Sequence, residues 1–90
     1  MAENTKSQQE ITATVKTYIL EEFLPGEDPD ELDHTTPLIT GGILDSISTV
    51  RLVAFLEDRF GIEFQAVEIS TDYLDTLSQI AGIVTSKLSE

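Results

Sequence analysis

The sequence predicts an all-α fold: four helices, three longer and one short, with a long loop between the first two. Three observations carry that expectation. Apolar residues recur at intervals of three or four in three separate segments, the pattern of amphipathic helices around one core. Pro25-Gly26 and Gly61 stand where the first two of those segments must stop. Between the two lies PGEDPDELDHTTPL, dense in Pro, Asp and Thr, which favour turns and caps over helix interiors.

The first helix runs from about Thr5 or Ser7 to Leu24. Ile11, Val15, Tyr18, Ile19 and Phe23 share one face, and Thr5 or Ser7 is suited to cap the start. The connection over residues 25–45 is long for a compact domain, and such loops are often functional. Leu32, Leu38 and Ile39 are expected to dip into the core and pin it. The second helix starts at Asp45 or Ser46 and ends near Phe60, with Asp45 as N-cap and Gly61 as C-terminal stop. Val50, Val53, Leu56 and Phe60 are expected on its core face, flanked by Ile47 and Ala54. Ile62 and Phe64 alternate with polar residues, which suits a short extended piece. Val67, Ile69, Tyr73 and Leu74 suggest a short helix or turn. The last helix starts near Thr76 or Ser78, with Leu77, Ile80, Ile83, Val84 and Leu88 as its stripe. Residues 1–6 read as a flexible tail and residues 7–90 as a single domain.

Ninety residues allow one domain with a modest core, since a chain this size buries only about 60–65% of its unfolded surface. Hydrophobic residues make up 40% of the chain, too many for a disordered tail. Five Lys and Arg stand against 17 Asp and Glu, a net charge of −12. That field repels nucleic acid and anionic membrane surfaces and favours basic protein surfaces. There are no cysteines, so no disulfide and no thiolate nucleophile; any thiol chemistry needs an imported thiol. No apolar run approaches the roughly 20 residues of a membrane span. MAENTKSQQE lacks the basic and apolar regions of a signal peptide. The expectation is a soluble, cytoplasmic monomer with no membrane insertion.

The acid-rich loop invites a metal reading. Asp28, Asp30 and Asp33 resemble the start of a calcium loop, but the EF-hand pattern needs an oxygen ligand in its fifth place and Gly in its sixth. Leu32 and Asp33 stand there, so no metal site is expected. His34 is the only histidine, and no Cys exists to complete a zinc site with it. Ser46 lies in L-D-S-I, without the G-x-S-x-G elbow of a serine hydrolase, so no catalytic residue is expected. What remains is GGILDSIS, residues 41–48. Asp45-Ser46 reads as an ordinary helix start, or as a modification site on the serine. The free N–H groups and positive dipole of a helix N-terminus suit a phosphate on the Ser46 oxygen. A loop ending in a glycine pair leaves that hydroxyl open to a modifying enzyme. Local residues alone favour the ordinary helix start.

Gly42-Ile43-Leu44-Asp45-Ser46-Ile47, followed by Thr49-Val50-Arg51-Leu52-Val53 and Phe60-Gly61-Ile62, resembles the acyl carrier protein family. Thr36-Pro37-Leu38 is similar to the segment entering that family's prosthetic-group loop, and residues 76–84 to the start of its last helix. Asp-Ser-Ile alone is a weak signal; its combination with the downstream helix, Phe-Gly-Ile and the four-helix layout is a strong one. The resemblance implies a non-catalytic carrier bearing 4′-phosphopantetheine on Ser46. A phosphopantetheinyl transferase would move that arm from coenzyme A. An acyl- or aminoacyl-activating ligase would load cargo on the arm's thiol as a thioester, and a downstream transferase or synthase would take it. Asp45 would cap the helix and assist the transferase through its Mg²⁺. Ile47 would be an exposed apolar anchor for partners, with Val50, Arg51 and Ala54 further along the partner-facing side.

One departure bears on cargo. Carriers of bacterial fatty-acid synthesis usually have a strongly acidic second helix. Here Arg51 and Arg59 offset Glu57 and Asp58, so a partner reading an acidic helix meets Arg51 and is repelled. G-I-L-D-S-I-S-T-V and Asp72-Tyr73 with Asp75-Thr76 look closer to stand-alone aminoacyl carriers, D-alanyl carrier proteins among them. Aminoacyl cargo is therefore preferred. A fatty-acid or polyketide acyl carrier is the alternative, and an unmodified acidic helical adaptor binding a basic partner is the alternative of another class.

Overall fold

The computed structural model describes residues 8–89. Helix α1 spans Gln8–Phe23, α2 Ser46–Phe60, α3 Thr71–Leu74 and α4 Leu77–Leu88. Two 3₁₀ turns, Pro29–Glu31 and Ala66–Glu68, punctuate the loops, and no strand forms among the described residues. The fold is thus the predicted one: all-α, three longer helices and one short. The proposed caps Thr5 and Ser7 and the tail over residues 1–6 lie outside the described residues.

In α1 the helical period sets Ile11, Val15 and Ile19 on one stripe, and all three are fully buried. They pack mainly against α4, where Ile80 and Val84 are equally buried. Tyr18 and Phe23 stand at the edge of this core. The Tyr18 ring stacks on Phe55 of α2 with 4.0 Å between centroids, and meets Phe23 edge-on at 5.6 Å. α1 stops at Phe23 because Pro25 has no N–H to continue the ladder and Gly26 takes a φ of 88°.

The expected core face of α2 needs one correction. Its buried residues are Thr49, Leu52, Val53 and Leu56, whereas Val50 is 59% exposed. At roughly 100° per residue, Val50 points about 110° away from the middle of the buried arc. The bundle covers only one side of α2, and a valine three residues before Val53 satisfies the period without facing inward.

The connection between α1 and α2 is a packed layer. Leu32, Leu38 and Leu44 are fully buried, and Ile39 is half-buried. The Asp33 carboxylate accepts the Thr35 N–H at 2.9 Å and the hydroxyls of Thr35 and Thr36 at 3.2 and 3.0 Å. The backbone bond from Thr35, followed by the hydroxyl of Thr36, holds its carboxyl below the usual range. Its Oδ1 thus serves the loop's own donors. The His34 side chain is exposed, and its carbonyl accepts the Ser78 N–H at 3.2 Å, tying the loop to α4.

After Gly61 the chain runs without regular structure to Gln65. Ile62 is buried, and the Phe64 N–H donates to the Glu57 carboxylate at 2.8 Å. Ser70 caps α3 by accepting the Asp72 N–H. Thr76 caps α4 in a reciprocal box with Gln79. No helix among the described residues is long and apolar enough to cross a membrane.

Candidate functional site

The site is built where the long loop runs into α2. Its last turn is tight. A Cβ on Gly41 would collide with the Pro37 carbonyl oxygen, and Gly42 takes a φ of 85°. The chain then doubles back, and the Leu44 N–H donates to the Leu38 carbonyl at 2.8 Å. With Leu44 buried, Asp45 arrives in an extended conformation, φ −88° and ψ −172°, at the N-cap of α2.

Asp45 caps the helix there with one carboxylate oxygen and its carbonyl. Its Oδ1 accepts the Ser48 N–H at 2.8 Å. Its carbonyl accepts the Thr49 N–H at 2.9 Å and the Thr49 hydroxyl at 2.7 Å. The backbone N–H of Ser48, then its hydroxyl, holds the Asp45 carboxyl below the usual carboxylate range. Ser46 is consequently the first residue of α2, and it is exposed. Its side chain stands in the positive field of the helix N-terminus, about half an elementary charge.

Beside Ser46 lies an open groove of about 550 Å³. Ile39 and Leu44 form its loop wall, Thr49 and Val50 its α2 wall, and Ile69, Ser70 and Thr71 its far side. Among the described residues, Asp45 is the only charged side chain on it. An exposed oxygen at a positive helix end, next to a groove of apolar sides and hydroxyls whose one charge is the capping Asp45, fits a phosphodiester carrying an extended arm.

The other anticipated positions diverge. Ile47 is 72% exposed and Val50 59%, and Arg51 and Ala54 are also exposed. Val50 shares the groove with Ser46; Ile47 does not line it. Arg51 leans toward α1, with Nη2 3.6 Å from the Glu22 carboxylate and the guanidinium 5.8 Å from the centre of the Phe23 ring. Sequence reasoning did not single out Ile69, Ser70 and Thr71 as groove residues. The only local signal was the capping chemistry of Ser70.

An all-helical domain whose second helix opens on an exposed serine beside a largely apolar groove has the make-up of a carrier domain. The chain belongs to the phosphopantetheine attachment site family, whose model matches residues 19–84. It is similar to the D-alanyl carrier protein of Streptococcus sanguinis (strain SK36), at 36% identity over 67 residues, covering 74% of this chain and 82% of that relative. It also matches the solved structure of apo KstB-PCP with a TM-score of 0.66 and 25% identity, over 89% of this chain and 88% of that one. Its cofactor is 4′-phosphopantetheine, covalently held, and its role is that of a carrier.

Proposed function

We propose that this carrier bears its phosphopantetheine on Ser46, holds an aminoacyl group there as a thioester, and delivers it to partner enzymes. The observation that carries the attachment point is the position of Ser46: exposed, first in α2, and on the rim of the groove. A phosphopantetheinyl transferase acts on it with coenzyme A. The Ser46 oxygen gives up its proton and forms the new phosphoester bond, and the adenosine bisphosphate leaves. The arm, once bound, supplies the thiol that this cysteine-free chain lacks. Asp45 fixes the first turn through Ser48 and stays ionised at neutral pH, available to the transferase's Mg²⁺. Activation and transfer of cargo are the work of partners, an aminoacyl-activating ligase and a downstream transferase, and the chain itself does not catalyse. These partners approach over Ile47, Val50 and Ala54, with Arg51 beside them. The setting is the cytoplasm and the working form a monomer.

Aminoacyl cargo is supported by the similarity to a D-alanyl carrier protein and by Arg51 on a helix whose charges nearly cancel. The test is intact mass before and after incubation with coenzyme A, Mg²⁺ and a broad-specificity phosphopantetheinyl transferase. The wild type is expected to gain one phosphopantetheine and Ser46→Ala none, with the variant's melting temperature nearly unchanged. Loading of Ser46→Ala would move the site elsewhere. Presenting the loaded protein to amino-acid-activating and fatty-acid-activating ligases then separates the two cargo classes.

A further inference from the structure

The geometry points to Asp75 as a positioning residue for the attachment reaction: from the junction of α3 and α4 it clamps residues 38–40 and so sets where Ser46 is presented. The inference rests on Ser46 being the attachment point.

Four donors from three consecutive loop residues converge on Asp75. Its Oδ1 accepts the Ile39 N–H at 2.8 Å and the Thr40 N–H at 2.9 Å. Its Oδ2 accepts the Thr40 hydroxyl at 2.9 Å, and its backbone carbonyl accepts the Leu38 N–H at 2.6 Å. None of these carboxylate bonds serves the helices on either side. Thr76 is the cap of α4, and the Gln79 amide oxygen takes the N–H groups of both Asp75 and Thr76. Asp75 itself cannot drift, because Leu74 and Leu77 around it are buried to within 1%. A fixed post therefore holds a loop from 35 and 36 residues away.

What the post holds leads straight to Ser46. Leu38, clamped through its N–H, gives its carbonyl to the Leu44 N–H, and Ile39 gives its carbonyl to the Gly42 N–H at 3.1 Å. Leu44 precedes the N-cap Asp45. Ile39 and Leu44 are also the loop wall of the groove beside Ser46. Releasing residues 38–40 shifts that wall and the approach to the serine, while the exposed face of α2 stays built by its own helix. A reacting oxygen displaced by about 1 Å costs up to about a hundredfold in rate. The partner-facing residues are not displaced with it, so the loss falls on the chemical step rather than on docking.

The experiment measures phosphopantetheine transfer to the unmodified full-length protein, with wild type, Ser46→Ala, Asp75→Ala, Asp75→Asn and Thr40→Val in parallel. Asp75→Ala removes all three carboxylate bonds. Its kcat is expected to fall about 10- to 100-fold with KM held within about threefold. Asp75→Asn keeps an oxygen for the two N–H groups and an amide donor for the Thr40 hydroxyl, and should recover most of the rate. Thr40→Val keeps both backbone bonds and should lose only about two- to threefold. Amide hydrogen exchange of the unmodified proteins is read alongside. Ile39 and Thr40 should be protected in the wild type and released in Asp75→Ala, with Leu52 and Leu56 protected in both. A wild type that gains no arm, or a Ser46→Ala that does, sinks the attachment reading. A wild type that loads at Ser46 while Asp75→Ala loads equally fast, or loses only KM, overturns the positioning role alone. Should Asp75→Ala fail to fold, an unchanged rate in Thr40→Val together with unprotected Ile39 and Thr40 amides in the wild type would overturn it as well.

Discussion

The Asp45 carboxylate meets the Ser48 N–H at 2.8 Å, one of the donors a helix start otherwise leaves to water. Asp45→Ala should lower the melting temperature by a few degrees and slow attachment of the arm. Asp45→Asn keeps an acceptor at the same place, so its melting temperature should stay near wild type. If Asn slows attachment as much as Ala, the charge matters to the transferase beyond the cap; if both variants melt like wild type, the capping role is wrong. Ile47 makes the opposite case, a large apolar side chain 72% exposed. Ile47→Ser should change stability by no more than about 0.5 kcal/mol while reducing the rate at which a partner ligase loads the arm. A marked loss of stability would show that it packs. Asp45 was readable because capping is a local property, whereas helix phase alone set Ile47 at the edge of the core face and only the family resemblance implied its exposure. The groove beside Ser46 was not, because it joins Ile39 to Ile69, Ser70 and Thr71 across the fold. Neither was the clamp on residues 38–40, since no local pattern tells Asp75 from any other acid ahead of a capping threonine.

Among the elements, the helix ends were the most legible, and two glycines show why. Gly61 ends α2 in the left-handed region, φ 68° and ψ 38°, with its N–H on the Glu57 carbonyl. A Cβ there would meet nothing within 4 Å, so the objection to a side chain is purely conformational. Gly61→Ala should therefore cost about 1 kcal/mol. Gly82 sits inside α4, and a Cβ there would also meet nothing within 4 Å. Its backbone is helical, so Gly82→Ala should stabilise by about 0.5–1 kcal/mol. The same substitution thus has opposite signs at two uncrowded sites, and urea unfolding of both variants checks it. Equal effects of one sign would mean that side-chain space, not backbone conformation, governs these positions. The long loop was the least legible element. Its Pro, Asp and Thr marked it as irregular, and Leu32 and Leu38 as anchored. The turn built on Asp33 and the fold-back of Leu44 onto Leu38 depend on hydrogen bonds that composition does not specify.

At the scale of the whole molecule, two electrostatic effects oppose each other as pH falls. The net charge of −12 repels itself in the folded state, and the repulsion fades as the chain approaches its isoelectric point near 4.1. Against this stand carboxylates that the fold holds in ionised form. Asp33, Asp45 and Asp75 all have their pKa lowered from 3.8, chiefly by backbone N–H groups, and Glu68 from 4.5, chiefly by its bond to Lys87 at 2.8 Å. A lowered folded pKa means that the unfolded chain takes up protons first. The stability these groups contribute is then whole above their unfolded values and disappears as pH drops through the folded ones. The repulsion is spread over the surface and screened beyond about 8 Å at physiological salt, whereas the bonds act at contact. Below the isoelectric point no excess negative charge remains to be relieved, so both trends then favour unfolding. Denaturant midpoints in about 0.15 M salt should be flat or rise slightly from pH 7 to about 5, then fall steeply below about pH 4. The residues behind the fall can be identified. Asp75→Asn has no carboxylate left to protonate at the α3–α4 junction, so it should start lower at pH 7 and lose less between pH 5 and 3. A midpoint that keeps rising to pH 3, or an Asp75→Asn curve parallel to wild type, would give diffuse repulsion the larger share and remove these bonds as the source of the acid sensitivity.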